Sequence, residues 1–310
     1  MQLSVIIPTY NRSEILAECL EHLAGQHFVK GEFEVIVVDD GSTDDTRKVV
    51  QNFQRKRFFP LMYLFQKNRG QGIARNKALA RAKGKIIVFI GDDIFVTQDF
   101  LREHVEFHRK YLKENEAVLG LTLWDPRLTI NPFMEFMTRG GLIFGRFGGH
   151  QFAYDRLFGK KMADFHFFYT SNISLKRSLL LKHSFDEDFS SYGWEDIELG
   201  YRLTKFEKMK LYYNNKAIGY HYHPMDESSL ESRMMAIGKS AHIIHAKHPE
   251  LHKVPKIWKR FILQFLSSSF FIRFFDRMRK KREGKWHFLY YYFVSKRAFL
   301  KGLRDIKRRV

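Results

Sequence analysis

Residues 35–44 read Val-Ile-Val-Val-Asp-Asp-Gly-Ser-Thr-Asp. Four apolar residues are followed at once by two carboxylates, a glycine and residues that commonly begin a helix. This order predicts a buried β-strand that delivers Asp39 and Asp40 to its carboxyl end. Because open α/β sheets bind their ligands at the carboxyl ends of the strands, we expect a ligand site beside these two aspartates.

The same construction occurs twice more nearby. Residues 4–8 form an apolar run followed by Thr-Tyr-Asn-Arg, and residues 86–90 form another followed by Gly-Asp-Asp. Strand and helix patterns alternate over the first 125 residues, which favours a mainly parallel sheet with helices on both faces. The sequence therefore predicts an α/β fold in which three strands bring polar ends to one edge.

Composition indicates a folded body with an appendage. The chain has 310 residues, of which 45% are hydrophobic, enough for one large domain plus a smaller region. Cys19 is the only cysteine, so an intrachain disulfide is excluded and a reducing compartment is expected. The first residues enter a strand without a charged leader and apolar signal region, so we do not expect secretion through a cleaved signal.

Positive charge is concentrated in the last 60 residues. The net charge is +19, and residues 251–310 hold 18 Lys and Arg against three acids, which is +15 and leaves +4 for the first 250 residues. The apolar runs at 261–266 and 270–275 are shorter than the roughly 18 residues of a membrane-spanning helix. Between residues 286 and 309, apolar and aromatic residues recur at near-helical intervals among lysines and arginines: Phe288, Tyr292, Phe299, Leu303 and Ile306.

This pattern is typical of a helix that lies in a membrane interface. We therefore expect the tail to bind an anionic membrane surface, where each basic residue contributes about 1 kcal/mol. An oligomer interface and nucleic-acid binding are the alternatives for so basic a segment. The bulky aliphatic and aromatic content favours a bilayer over nucleic acid.

Residues 126–168 differ in composition from the βα units before them. They mix aromatic residues with five glycines, which predicts an irregular segment: Gly140, Gly141, Gly145, Gly148 and Gly149. Such a segment could cover an acceptor groove. The alternative is a surface excursion without a binding role.

Six short motifs occur in one order along residues 3–225 and together resemble glycosyltransferase family 2, the inverting GT-A enzymes that use nucleotide-diphosphate sugars. The motifs are Val5–Arg12, Val37–Asp44, Asn68–Asn76, Phe89–Asp93, Thr170–Leu175 and Gly193–Asp196. The resemblance implies a GT-A catalytic domain over residues 1–225, with a nucleotide-binding half (1–125) and an acceptor half (126–225). The remaining residues, 226–310, are then a helical, membrane-associating tail.

The activity implied by the resemblance is transfer of a hexosyl or N-acetylhexosaminyl group, with inversion, to a lipid-linked or polysaccharide acceptor in cell-envelope glycan synthesis. The protein would be peripheral, on the cytoplasmic side of the cell membrane. A nucleotidyltransferase and an inactive sugar-nucleotide-binding scaffold are the alternatives. The first does not require the Glu195–Asp196 pair, and the presence of Asp93, Asp196 and a histidine together argues against the second.

A divalent cation, Mn²⁺ or Mg²⁺, is expected to neutralise the donor diphosphate. The resemblance implies Asp93 as the main ligand, with Asp92 as a helper that also faces the nucleotide sugar; the family commonly has Asp-x-Asp, and here Gly91 stands at the first position. His221 and His223 alternate along an extended segment and share a face, and either could join the metal, with His221 at the better spacing. Without the other motifs, Asp-Asp after a strand is also typical of a turn.

The remaining site residues follow from the same resemblance. On the donor side, backbone at Pro8 and Thr9 lines the base pocket, Asp40 or, in the reverse assignment, Asp39 binds the base, and Arg75 reaches the nucleotide. On the acceptor side, Asp196 removes the proton from the acceptor hydroxyl. Its acceptor-binding partners are Glu195, Trp194 and Asn172. The ordinary alternative for the two acids is a first helical turn that complements the helix dipole.

Overall fold

The structure, a computed structural model, describes residues 1–27, 32–139, 152–189, 193–282 and 284–305. The five glycines of the predicted irregular segment and Ile306 of the tail lie outside these ranges.

Strands alternate with helices over the first 124 residues, as expected. The strands are β1 Leu3–Thr9, β2 Phe33–Asp39, β3 Leu61–Phe65, β4 Ile86–Ile90, β5 Ile94–Val96, β6 Glu116–Trp124, β7 Met162–Ala163, β8 Asn172–Lys176 and β9 Lys210–His221. The helices are α1 Ser13–Ala24, α2 Thr46–Lys56, α3 Gln71–Leu79, α4 Phe100–Lys110, α5 Pro132–Thr138, α6 Arg177–Lys182, α7 Glu195–Glu207, α8 Leu230–Lys247, α9 Ile257–Leu266, α10 Ser269–Lys281 and α11 Lys285–Asp305.

The chain divides into two compact units. The first consists of Met1–Leu128, Leu157–Ser190 and Glu195–His223. Within the described residues it contains one mixed sheet of nine strands in the order β3-β2-β1-β4-β8-β6-β9-β5, with β7 paired to β9. Strands β1 to β4 are mutually parallel, and β8 runs against both β4 and β6. The α/β fold predicted from the sequence is confirmed.

Burial explains why the central strands are almost wholly apolar. Every residue of β1, β2 and β4 is buried, whereas the edge strand β3 is only partly so. Strands covered by helices on both faces have no solvent side, so they read as continuous Val and Ile runs instead of alternating patterns. Helices α1 and α4 contribute Leu16, Leu20 and Leu101 to the core on one face.

One strand differs from the sequence expectation. The apolar and aromatic segments 211–213 and 217–220 predict two short strands separated by the polar residues 214–216, but β9 is continuous from Lys210 to His221. Its pairing with β6 shifts register between Gly120 and Leu121, which is a bulge. A bulge interrupts the alternation of inward and outward side chains, and this is why the sequence pattern breaks there.

The second unit consists of Thr129–Arg156, Ser191–Trp194 and Pro224–Val310. In it, α11 packs along α8, and the two helix backbones approach closely at two glycines. A Cβ on Gly238 would lie 2.3 Å from the carbonyl oxygen of Phe299, and one on Gly302 would lie 2.1 Å from that of Met235. Only glycine permits this approach, so α8 and α11 form the core of the unit.

The described part of α11, Lys285–Asp305, uses apolar residues of the predicted interfacial stripe for contacts within the protein. Its helical conformation is as expected, but Leu303 is buried and Phe299 packs against the cluster that Leu303 forms with Ala241. The ring of Phe288 contacts that of Phe136 on α5. The apolar stripe of α11 is therefore a packing face inside the second unit. Periodicity is the same for a helix against protein and a helix against lipid, so the pattern could not separate them.

The exposed apolar surface lies instead on α9 and α10. None of the α9 residues is buried, and seven large side chains on the two helices are 45–74% exposed: Ile257, Trp258, Phe261, Ile262, Phe265, Phe270 and Phe274. Their spacings of three, four and seven residues place them in one stripe on each helix. None of the described helices is both long enough and apolar enough to span a bilayer.

Candidate active site

Polar side chains gather at the carboxyl ends of four strands in the first unit. Thr9 and Asp39 end β1 and β2 and are paired in register. Asp92 follows β4, and His221 ends β9. Because β9 is parallel to β6, and both β4 and β6 are antiparallel to β8, all four ends lie at the same edge of the sheet.

Asp92 and Asp93 share one basic partner. The NH1 group of Arg12 donates to Asp92 Oδ1 at 3.1 Å and to Asp93 Oδ2 at 2.7 Å. The hydroxyl of Thr9 donates to the other oxygen of Asp92 at 2.7 Å. Asp92 is thus held by protein donors on both carboxylate oxygens.

Asp93 also faces two imidazoles. Its Oδ2 lies 3.3 Å from His221 Nε2 and 3.5 Å from His223 Nδ1, and the two rings are stacked with centroids 5.5 Å apart. One ligand atom from each of these three residues lies within 4.8 Å of the others. A carboxylate oxygen with two imidazole nitrogens suits a divalent transition metal such as Mn²⁺. The described residues therefore fit the predicted cation, with His223 as well as His221 in reach and with Asp92 engaged elsewhere.

The pKa values of Asp92 and Asp93 are shifted in opposite directions. Burial, followed by the charge of Asp93, raises the pKa of Asp92 to about 6. Burial acts the same way on Asp93, but His221 and then Arg12 outweigh it and hold the pKa of Asp93 well below its usual range. Asp93 is consequently the carboxylate that stays charged at neutral and mildly acidic pH, as a metal ligand must.

Asp39 and Asp40 are buried and hydrogen-bonded within the protein. Asp40 accepts hydrogen bonds from the backbone N–H groups of Arg69 and Gly70, both at 2.9 Å, and from the Gln66 side chain at 2.8 Å. Asp40 thereby holds the loop that precedes α3. The roles predicted for the two aspartates at the nucleobase remain predictions.

The partners of Asp39 lie on two other segments. Its oxygens accept from the Ser42 backbone N–H at 2.7 Å and from the Tyr63 hydroxyl at 2.6 Å. Burial first, and then the bond to Asp39, raise the pKa of Tyr63 to about 12. The tyrosine therefore remains a donor to the carboxylate throughout the physiological range.

A second cluster joins α3 to the start of α7. Arg75 is 3% exposed and its NH1 lies 3.8 Å from Glu195 Oε1. Its NH2 donates to Gln71, but its Nε and NH1, and Oε2 of Glu195, have no hydrogen-bond partner among the described residues. Buried donors without acceptors are costly unless a ligand or water supplies them. Burial lowers the pKa of Arg75, which Glu195 partly offsets.

Asp196 is placed beside this pair. Its Oδ1 accepts from the backbone N–H of Ile197 at 2.7 Å. Burial, followed by the negative charge of Glu195, raises the pKa of Asp196 to about 7, and Arg75 acts against this rise. A carboxylate with a pKa near neutrality is suited to accept a proton at physiological pH.

Two predicted acceptor residues have partners inside the protein. The indole N–H of Trp194 donates to the carbonyl of Ile237 at 3.0 Å. Asn172 is fully buried, donates to the carbonyls of Leu121 and Ala217, both at 3.0 Å, and its Oδ1 lies 3.1 Å from His104 Nε2. A direct bond from Asn172 to an acceptor would require these partners to be displaced.

Comparison with known proteins identifies similar glycosyltransferases. The model of the glycosyl transferase family 2 matches residues 4–120. The uncharacterized glycosyltransferase YfnE of Bacillus subtilis is 32% identical over 242 residues, which are 66% of this chain and 60% of YfnE. Residues 4–120 thus match glycosyl transferase family 2, which confirms the resemblance predicted from the motifs.

Two further similarities are to a relative matched by sequence and to a solved structure. Poly(ribitol-phosphate) β-N-acetylglucosaminyltransferase TarS of Staphylococcus aureus is 39% identical over 107 residues, 34% of this chain and 19% of TarS. The mannosyltransferase PcManGT of Pyrobaculum calidifontis, solved with GDP-Man and Mn²⁺, superposes with a TM-score of 0.67 at 20% identity, covering 98% of this chain and 87% of that chain. This likeness confirms the predicted GT-A fold. The chain spans less than two thirds of the length of the two relatives matched by sequence.

Several contacts of this site were not predicted from the sequence. Arg12 lies within the first motif but was assigned no role, and its contacts with Asp92 and Asp93 span about 80 residues. Tyr63 and Trp124, the latter stacked on His221 with centroids 5.1 Å apart, have no motif around them. Trp124 ends β6, whereas Tyr63 lies in the middle of β3 and Arg12 lies three residues after β1, so the three residues share no sequence signal.

Proposed function

We propose that the protein is a metal-dependent inverting glycosyltransferase that moves one sugar from a nucleotide-diphosphate sugar to an envelope glycan acceptor. The observation that carries this proposal is the convergence of Asp93, His221 and His223 at the carboxyl edge of the sheet, with ligand atoms within 4.8 Å of one another. When bound by these residues, Mn²⁺ or Mg²⁺ neutralises the diphosphate leaving group.

The chain's own residues account for the other requirements of the reaction. Asp196, with a pKa raised to about 7 by burial and by Glu195, accepts the proton of the acceptor hydroxyl. Arg75 offers two buried N–H groups that need an acceptor, which supports its contact with an anionic group of the substrate. One base and one neutralised leaving group permit a direct displacement, so the product has inverted configuration.

The acceptor is proposed to be a lipid-linked or polymeric glycan of the cell envelope. The similarity to TarS, whose name gives poly(ribitol-phosphate) as its acceptor, supports this class. We further propose that the second unit attaches the protein to an anionic membrane, on the cytoplasmic side, through the apolar stripes of α9 and α10.

Charge and exposure support the membrane proposal. Arg273 and Arg277 are exposed at spacings that place them beside Phe270 and Phe274 on α10, and Asp276 is already engaged by Arg279 and Lys280. Apolar side chains flanked by long basic ones fit a headgroup region, where the rings insert and the guanidinium groups reach phosphate.

The transfer proposal is tested by a donor screen followed by product analysis. UDP-, GDP- and dTDP-sugars are added with Mn²⁺ or Mg²⁺, and a rise in melting temperature identifies the donor, because ligands that bind the folded state stabilise it. The matching donor is then incubated with envelope acceptor fractions. NMR coupling constants of the new linkage should show a β-linkage from an α-linked donor, and retention of configuration would exclude direct displacement.

A further inference from the structure

Arg12 lies at the position where a cation is required. Its NH1 contacts Asp92 and Asp93 at 3.1 and 2.7 Å, and its NH2 lies 3.2 Å from His223 Nδ1. Two of the three candidate metal ligands are therefore bound to the guanidinium of one arginine.

These contacts use the same lone pairs that a metal needs. Arginine is a donor only, so His223 Nδ1 must face it with its lone pair, the one through which imidazole binds metals. Asp93 Oδ2 is both the oxygen that Arg12 contacts and the oxygen nearest to the two histidines. The guanidinium and a metal ion held by Asp93 and His223 thus exclude each other.

The local structure explains why the Arg12 guanidinium contacts the two aspartates and how this side chain can move away. Two adjacent carboxylates at the end of β4 are costly when buried without positive charge, and Arg12 offsets their repulsion. Arg12 itself lies between β1 and α1, and its side chain is 32% exposed. A long side chain with one side open to solvent can move away without unfolding the sheet edge.

We propose that Arg12 is an internal counter-cation that keeps the Asp92–Asp93 pair neutralised until a divalent ion displaces it from Asp93 and His223. The proposal rests on the metal site of the proposed function. Arg12 is a positioning residue in this scheme, since it sets the affinity of the site for the ion. Removing its side chain should make metal binding tighter, in contrast to the loss expected from removal of a ligand.

The test measures Mn²⁺ binding to the full chain without nucleotide sugar, by electron paramagnetic resonance of free Mn²⁺ and by thermal unfolding. Arg12→Met removes the charge and the hydrogen bonds, and Arg12→Lys keeps the charge but loses the planar guanidinium that contacts both aspartates and His223. Arg102→Met is the matched control, because Arg102 forms an exposed ion pair with Asp99 at 2.8 Å. We expect Arg12→Met to bind Mn²⁺ about tenfold more tightly, equivalent to about 1.4 kcal/mol, Arg12→Lys to lie between it and wild type, and Arg102→Met to match wild type.

The melting temperature separates this role from a purely structural one. Without metal, Arg12→Met should melt below wild type, and saturating Mn²⁺ should remove the difference; a structural arginine would leave the deficit in place. Equal or weaker Mn²⁺ affinity in Arg12→Met and Arg12→Lys, or no Mn²⁺ binding by any variant, overturns the proposal. Sugar transfer is measured separately, so a negative result here is distinguishable from failure of the proposed reaction.

Discussion

Arg75 Nη1 lies 3.8 Å from Glu195 Oε1, and the two side chains are only 4% and 11% exposed. The pair joins the middle of α3, within the Asn68–Asn76 motif, to the first turn of α7, which holds Asp196. A change at either residue of the pair therefore alters the charge that Asp196 experiences.

This coupling predicts opposite shifts in the pH dependence of transfer. Asp196 acts as base only when deprotonated, so activity should fall as pH drops through its pKa of about 7. Glu195→Gln removes a negative charge that raises this pKa, and the midpoint should move to lower pH. Arg75→Gln removes a positive charge that lowers it, and the midpoint should move to higher pH.

The measurement is the pH profile of kcat/KM, which reports groups of the free enzyme. Arg102→Gln, far from the pair in sequence and on the exposed side of α4, is the control and should keep the wild-type midpoint. Shifts of the same sign in Glu195→Gln and Arg75→Gln would contradict the electrostatic explanation.

A second prediction separates leaving-group neutralisation from proton removal. Asp93→Asn should abolish metal-dependent donor binding, because it removes the carboxylate that stays charged beside His221. Asp196→Asn should keep donor binding and lower kcat by roughly 10²–10⁴, the range for loss of a general base. Isothermal titration and turnover assays on both variants decide the assignment, and wild-type turnover by Asp196→Asn would refute it.

Buried histidines predict acid sensitivity of the fold. Burial lowers the pKa of His104 to about 4 and that of His108 to about 3, and both rings contact the Ser174 hydroxyl at 2.8 and 2.9 Å. In the unfolded chain these histidines titrate near 6.5, so between pH 6.5 and 4 the unfolded state binds more protons and stability falls as pH falls.

Each unit of pKa difference is worth about 1.4 kcal/mol, so the loss should be large. Urea midpoints measured from pH 7 to pH 4.5 should decrease steadily, and His108→Gln should flatten the slope. An identical slope in His108→Gln would show that other groups control the acid response.

The sequence was informative where chemistry depends on the end of a strand. Asp93 was expected at the site because a buried apolar run indicates where a strand ends, and the carboxyl ends of parallel strands share an edge. His221 was expected because the family resemblance implies a histidine at about that spacing. Asn172 also begins a strand, but its side chain points into the buried cluster with His104, and a polar residue inside a sheet has the same sequence context as one at its surface. The role of Arg12 could not be predicted, because its contacts are with residues about 80 positions away and no local sequence pattern records them.

The tail shows a second limit of sequence patterns. The stripe on α11 and the stripe on α9 have the same helical spacing, and only the close crossing of α11 with α8 at Gly238 and Gly302 assigns the first to the interior. That assignment moves the predicted membrane contact to α9 and α10, and it changes which residues a binding experiment should target.

The last prediction concerns this face. Phe261→Ser with Phe265→Ser should reduce co-sedimentation with anionic phosphatidylglycerol vesicles by at least about tenfold, because burying one such ring is worth roughly 1.5–3 kcal/mol. The matched control is Phe158→Ser with Phe206→Ser, which removes two exposed rings from the first unit. Arg273→Gln with Arg277→Gln should instead weaken the part of binding that salt suppresses.

Because α9 has no buried residue, these substitutions should leave the melting temperature unchanged, so a lost interaction cannot be attributed to unfolding. Wild-type sedimentation by the Phe261/Phe265 variant would place the membrane contact elsewhere. If the full-length protein does not bind anionic vesicles at low salt, an oligomer interface on α9 and α10 is favoured instead. Light scattering of the same variants would then show a change in mass, which is not expected for a membrane-facing surface.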